Sequence, residues 1–211
     1  MEAKDWDERY AASDQVWTSD PNPWVEEVVG PWPPGRALDV AAGEGRHALW
    51  LVRRGWTVDA VDFSAVAVDR MRELAGRVLT PEEQDRLRMS VGDATEPADT
   101  GGGGYDLVLL VYLQLPPGPW EAALAHAVAA TRPGGRVVVV LHARRNLQEG
   151  MGGPQDPAVL RDPDHVVAEV GRLPVEVAVE VERAELRERP VADAARPALD
   201  TLVVLRVADP T

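Results

Sequence analysis

The stretch Arg36-Ala-Leu-Asp39-Val-Ala-Ala-Gly43-Glu-Gly45-Arg-His47-Ala-Leu49 decides the fold. A short apolar strand runs into a glycine turn, and an amphipathic helix leaves it. Glycine at 43 and 45 permits positive φ and lets another molecule approach the backbone without meeting a Cβ. The first turn of the helix leaves N–H groups without intrahelical partners, aimed back at whatever occupies the turn. After the first strand of a doubly wound α/β sheet, such a turn is the place of a nucleotide-like cofactor.

The turn alone is ambiguous, because Gly43-x-Gly45-x-x-Ala48 also satisfies the dinucleotide pattern G-x-G-x-x-G/A. Three acids narrow it. Asp39 precedes the first glycine by four residues and puts a carboxylate at the strand end. A second strand, Thr57-Val-Asp-Ala-Val-Asp62, ends in an acid able to chelate two ribose hydroxyls. Asp93, in Ser90-Val-Gly-Asp-Ala94, follows a third strand and is placed to receive the amino group of an adenine.

In this order the motifs resemble the class I S-adenosylmethionine-dependent methyltransferases. Thr131-Arg-Pro-Gly-Gly-Arg136, leading into Val137 to Leu141, resembles that family's turn into its fifth strand. One departure is Ala41, which stands where the first glycine of the turn is usual. The resemblance implies a single methyltransferase domain over 1–211, with an aromatic lead-in over 1–35 and a Rossmann-like core over 36–211. It implies an α/β, doubly wound, seven-stranded sheet with helices on both faces and a terminal antiparallel hairpin. It further implies S-adenosyl-L-methionine as cofactor, S-adenosyl-L-homocysteine as product and no metal. The cofactor contacts it implies are Asp39, Ala41, Gly43, Gly45, Asp62, Asp93 and Ala94, with Phe63 against the adenine plane. Asp39 is expected to act on the methionyl end indirectly. Trp6-Asp-Glu-Arg-Tyr10 and Trp17 resemble the N-terminal lid of thiopurine, halide and tellurite methyltransferases, whose aromatics close over the cofactor and shape the acceptor pocket.

Composition removes other classes. A chain of 211 residues supports one substantial core. Its net charge of −13 disfavours nucleic acid, whose binding depends on cationic contacts with phosphate. The absence of cysteine excludes disulfides, thiolate metal sites and a cysteine nucleophile. Lys4 is the only lysine, so no glycine turn carries the lysine of a Walker-type loop. His47, His126, His142 and His165 show no metal-ligand spacing. No apolar run is long enough to span a bilayer and Met1-Glu-Ala-Lys-Asp5 lacks a signal-peptide core, so a cytoplasmic location is expected.

Further strands are expected at Leu87–Val91, Tyr105–Val111, Arg136–His142 and Thr201–Val207. The alternation Val175-Glu-Val-Ala-Val-Glu-Val-Glu182 predicts a strand with one wet face. Helices are expected after the glycine turn up to about Arg53, over Ala65–Arg77 with Ser64 as N-cap, over Trp120–Thr131, and over Val159–Val170. Two late strands without an intervening helix predict an antiparallel edge hairpin. An all-parallel nicotinamide-binding sheet would place a crossover helix there.

The chemistry expected is in-line methyl transfer to a small molecule, for which alignment matters most. Leu110, Val111 and Tyr112, at the end of the fourth strand, are expected to face the methyl group and the acceptor. His142 ends the fifth strand and is the candidate general base. Arg145 and Asn146 are candidates to hold an anionic acceptor or to tie down their loop. Trp17 is a candidate pocket wall. The aromatic lead-in points to a soft sulfur, selenium, tellurium or halide acceptor. Methylation of a phenol or acid oxygen, a non-catalytic cofactor binder and a nicotinamide-dependent reductase are the alternatives.

Overall fold

The computed structural model describes residues 20–97 and 104–209. Its strands are β1 (Arg36–Val40), β2 (Thr57–Asp62), β3 (Leu87–Val91), β4 (Tyr105–Val111), β5 (Thr131–His142), β6 (Val179–Arg189) and β7 (Ala198–Val207). Its helices are α1 (Pro23–Val29), α2 (Arg46–Arg53), α3 (Ala65–Val78), α4 (Pro81–Gln84), α5 (Pro119–Ala130), α6 (Asn146–Glu149) and α7 (Pro163–Val170), with a 3₁₀ turn at Pro157–Val159.

One seven-stranded sheet has the order β3-β2-β1-β4-β5-β7-β6. The first five strands are parallel, whereas β7 inserts antiparallel between β5 and β6. The expected doubly wound sheet with a terminal hairpin is therefore present. Strand alternation sends Ala37, Leu107, Leu109, Val138 and Val140 to a core covered by α1, α2 and α3. It sends Leu38, Val108, Leu110, Val137 and Val139 to a second core covered by α5 and α7. Each such Val or Leu side chain taken from water stabilises the fold by about 1.5–3 kcal/mol, which is why β4 and β5 tolerate an almost unbroken apolar run. Among the described residues, no helix is long and apolar enough to cross a membrane.

Four expectations need correction. The lead-in contains a core helix: Asn22 caps α1 by accepting the Trp24 N–H at 2.9 Å, and Val25, Val28 and Val29 are buried. β5 begins at Thr131 rather than Arg136, because Thr131 pairs with Tyr105 before the chain bulges and rejoins at Arg136↔Leu107. The helix expected over Val159–Val170 is split, since Pro163 suits a first helical turn and the eight-residue α7 starts there. The strand expected from Val175 begins only at Val179, whose partner Val207 is the last residue of β7, and it continues to Arg189.

Candidate cofactor and acceptor site

Parallel register brings the carboxyl ends of β1, β2 and β3 together, with Val40 beside Val61 and Asp62 beside Val91. The turn after β1 is tightly curled, with φ of +56° at Ala41, +58° at Gly43 and +85° at Gly45. Ala41 thus occupies the left-handed region with a side chain, which explains why glycine is the easier residue there. Gly45 has a second constraint, because a Cβ on it would run into Met71 of α3.

Two buried acids shape this turn. Asp62 accepts the Gly43 N–H at 2.8 Å through Oδ2 and the Ser64 N–H at 2.9 Å through Oδ1. The carboxylate at the end of β2 therefore holds both the glycine turn and the start of α3. Asp39 accepts the Ala48 N–H at 3.1 Å, so one α2 donor that sequence left free is already engaged. Burial pushes the Asp39 pKa up to about 7, against the lowering effects of Arg46 and that hydrogen bond, with Asp62 adding repulsion. His47 is also buried, and its Nε2 accepts the Asn22 N–H at 3.2 Å, linking α2 to the cap of α1. Burial, then Arg46, hold that imidazole well below its ordinary range and keep it neutral.

Asp93 and Ala94 line a cavity of about 220 Å³ floored by Leu38, Val40 and Val61 and walled by Ala123, His126 and Ala127 of α5. The Asp93 Oδ1 accepts both the N–H and the hydroxyl of Thr95 at 2.8 Å. Phe63 is half-buried and lies outside that lining.

The second half of the site lies on the α1 side, beyond β4. Val111 is buried, and Tyr112 carries φ +56°. Its ring stacks on His142 with centroids 4.7 Å apart and planes inclined by 21°. The phenol accepts from Asn22 Nδ2 at 2.9 Å and donates to Asp200 Oδ2 at 3.0 Å. Burial and the neighbouring Asp200 push the Tyr112 pKa well up, so the ring is a neutral wall. Asp200 Oδ2 also accepts from Trp24 Nε1 at 3.0 Å and Arg189 Nε at 2.8 Å. Burial alone would raise the Asp200 pKa, but His142, Arg189 and Trp24 outweigh it and hold the carboxyl below its ordinary range. The His142 Nδ1 lies 3.3 Å from Asp200 Oδ1, without the alignment of a formed hydrogen bond. The Arg46 and Arg189 guanidinium carbons lie 5.9 and 5.8 Å from the Tyr112 ring centroid.

Tyr112 and His142 are thus brought together as the sequence predicts, but two neighbouring candidates are not. Arg145 is exposed and bound to Glu149, with Nε–Oε1 at 2.8 Å and Nη2–Oε2 at 2.6 Å. It lines a separate depression with Asp162, Asp164 and Leu186. Asn146 is a loop tie and is not open to an acceptor: its Oδ1 accepts the Leu199 N–H at 2.8 Å and its Nδ2 donates to the Gly152 carbonyl at 2.7 Å. Trp6, Tyr10 and Trp17 lie outside the described residues. Sequence reasoning missed Asn22, Trp24, Arg189 and Asp200. Asp200 had a readable signal, because a lone acid inside the buried run Ala198-Leu-Asp-Thr-Leu-Val-Val-Leu205 requires partners.

Residues 37–135 match the family model described as a methyltransferase domain. A demethylmenaquinone methyltransferase of Beutenbergia cavernae is 33% identical over 113 residues, 54% of this chain and 43% of that protein. A protein named hemagglutinin 1, of Eikenella corrodens, is 30% identical over 116 residues, 55% of this chain and 37% of its own. The matched region spans less than half the length of either curated relative. Among solved structures, one from work on converting a disulfide bond into a thioacetal group during echinomycin biosynthesis superposes with a TM-score of 0.74 at 21% identity, covering 99% of this chain and 92% of the other. A glycopeptide N-methyltransferase in complex with S-adenosylmethionine superposes at 0.65 and 19% identity, covering 89% and 93%. At these identities the likeness is one of fold. Residues 37–135, with the glycine turn and the strand-end acids, are thus similar in sequence to a methyltransferase domain, and the sheet as a whole, with its β7 insertion, is similar in fold to solved S-adenosylmethionine-dependent methyltransferases.

Proposed function

We propose that this chain transfers the methyl group of S-adenosylmethionine to a protic oxygen of a small molecule seated against Tyr112 and His142. The observation that carries the reading is the shared carboxyl edge: the 41–45 turn follows β1, Asp62 closes β2 and Asp93 follows β3, while Tyr112 follows β4 and His142 closes β5.

The residues present fit that cofactor. The turn has positive φ at three positions and, at Gly45, no room for a side chain. Gly43 and Gly45 would pass beneath the methionyl and ribose parts, Asp62 would take the ribose hydroxyls, and Asp93 with Ala94 would meet the base. When bound, the cofactor supplies a methyl group on a sulfonium sulfur, which keeps the C–S electron pair as S-adenosylhomocysteine leaves. Val111 and Tyr112 form a largely buried wall that excludes water from the acceptor. His142 is the group available to take a proton, because the Tyr112 phenol is committed at both its donor and its acceptor function.

The neighbours in fold include proteins described with a disulfide, a glycopeptide nitrogen and magnesium protoporphyrin. Fold therefore does not select the acceptor, and the local residues must. The soft-acceptor expectation rests on aromatics outside the described residues, whereas a histidine beside a buried carboxylate favours an acceptor that arrives protonated. The test incubates purified protein with methyl-labelled S-adenosylmethionine and panels of phenols, hydroxy acids, thiols, halides and tellurite. Label in a phenol or hydroxy acid, lost by roughly 10²- to 10⁴-fold in His142→Ala, is the expected result. Transfer confined to thiols, halides or tellurite, undiminished by His142→Ala, would overturn the acceptor class. Binding of the cofactor without transfer to any panel member would favour a non-catalytic binder.

A further inference from the structure

We propose that Asp200 is a positioning residue that fixes His142 as its Nδ1–H tautomer, leaving Nε2 as the ring's one proton acceptor. This rests on the function proposed above, although the geometry behind it does not. His142 and Asp200 are directly opposed in the β5–β7 ladder, so their side chains share one face. Asp200 is fully buried, and its oxygens are unequally served. Oδ2 takes three donors, from Trp24, Tyr112 and Arg189. Oδ1 takes none among the described residues, and the buried Nδ1 of His142 is likewise without a hydrogen-bond partner. These two orphaned atoms face each other at 3.3 Å.

The contrast with Asp59, another acid buried in the sheet, is informative. Its Oδ2 receives Arg36 at 2.8 Å and Tyr105 at 2.7 Å, and its Oδ1 receives Arg88 at 2.8 Å. A carboxylate oxygen left without a donor in the interior is expensive. A small turn of the imidazole would let a proton on Nδ1 satisfy both orphans at once, and a neutral imidazole has only one to place. The Tyr112 ring holds the imidazole on one side. On another, Gly153 lies so near that a Cβ there would stand 2.9 Å from His142 Cγ. The ring is therefore held between Tyr112 and Gly153 with Nδ1 beside Asp200 Oδ1.

The consequence is a base set to receive. The O–H bond of the acceptor breaks, its electron pair stays on oxygen to bond the methyl carbon, and the proton passes to Nε2. The resulting imidazolium is met by the Asp200 carboxylate, which stays ionised. With the other tautomer, Nε2 would already carry hydrogen and could not accept.

Long-range proton–nitrogen NMR on the ¹⁵N-labelled full chain with S-adenosylhomocysteine tests this, with the His142 signals identified by their loss in His142→Gln. At alkaline pH the wild type should show protonated Nδ1 and unprotonated Nε2. Asp200→Asn, whose amide can donate to Nδ1, should shift the population to the Nε2–H form. Tyr112→Phe, which removes a donor to Oδ2 and keeps the stacked ring, should leave the tautomer unchanged. A wild type in the Nε2–H form, an unaltered tautomer in Asp200→Asn, or a switched one in Tyr112→Phe would each overturn the proposal. If Asp200→Asn does not fold, the wild-type and Tyr112→Phe spectra decide it. Calorimetry with S-adenosylhomocysteine runs alongside: absence of binding would overturn the methyltransferase reading and leave the tautomer result standing by itself.

Discussion

Asp39 gives this protein a stability that falls as pH rises, and Asp39→Asn should abolish that fall. In the fold its carboxyl is carried from an ordinary 3.8 to about 7, chiefly by burial. Between those values the folded state keeps a proton that the unfolded chain has lost, so the linkage slope is negative and alkali favours unfolding. At about 1.4 kcal/mol per pH unit, full ionisation costs the fold about 4 kcal/mol. Some of that cost is already present at pH 5, so about 2.5 kcal/mol develops between pH 5 and pH 8. Asparagine is isosteric with the protonated acid and can still accept the Ala48 N–H. Urea unfolding of both proteins at the two pH values, without cofactor, isolates the contribution of Asp39 from those of His47 and the other titrating groups. Relative to Asp39→Asn, the wild type should lose about 2.5 kcal/mol from pH 5 to pH 8. Parallel pH dependence in the two proteins would refute the argument, as would a variant that gains nothing at pH 8.

Asp62→Ala should weaken binding of S-adenosylhomocysteine by about 1.5–3 kcal/mol, read by calorimetry, since a charged acceptor is lost and the Gly43 and Ser64 N–H groups lose their anchor. Unchanged affinity would mean the ribose lies elsewhere, and wild-type preference for NADH would sink the cofactor assignment. Gly45→Ala should destabilise by about 2–3 kcal/mol in urea unfolding, combining left-handed strain with the clash against Met71. The loop glycines should separate: Gly152→Ala faces open space at φ +71° and should cost only about 1 kcal/mol of stability. Gly153→Ala drives a methyl group into the His142 ring and should depress turnover more than melting temperature. Equal effects of the two alanines on turnover would mark the loop as passive.

The half of the site that is local in the chain is legible in the sequence itself. The 36–49 stretch, Asp62 and Asp93 each sit where an apolar run meets a turn, and strand alternation with glycine punctuation is written into neighbouring residues. β1, β2, β3 and β4 therefore fall where the sequence puts them, and Ser64 caps α3 as expected. Boundaries shift where a distant partner sets them. β6 cannot begin before its last partner in β7, and β5 starts early because Tyr105 pairs with Thr131 across a bulge. The proposed acceptor half is decided by tertiary structure alone. Asn22, Tyr112, His142, Arg189 and Asp200 are scattered along the chain and meet only through the β5–β7–β6 register and the docking of α1. Arg145 stands three residues from His142 and is nevertheless turned to Glu149, because the chain leaves the sheet at Ala143 and curls into α6. Proximity in sequence fixes geometry only within a strand or a turn. Which carboxylate faces which imidazole is set by strand register, and that register is chosen by the packing of the whole sheet.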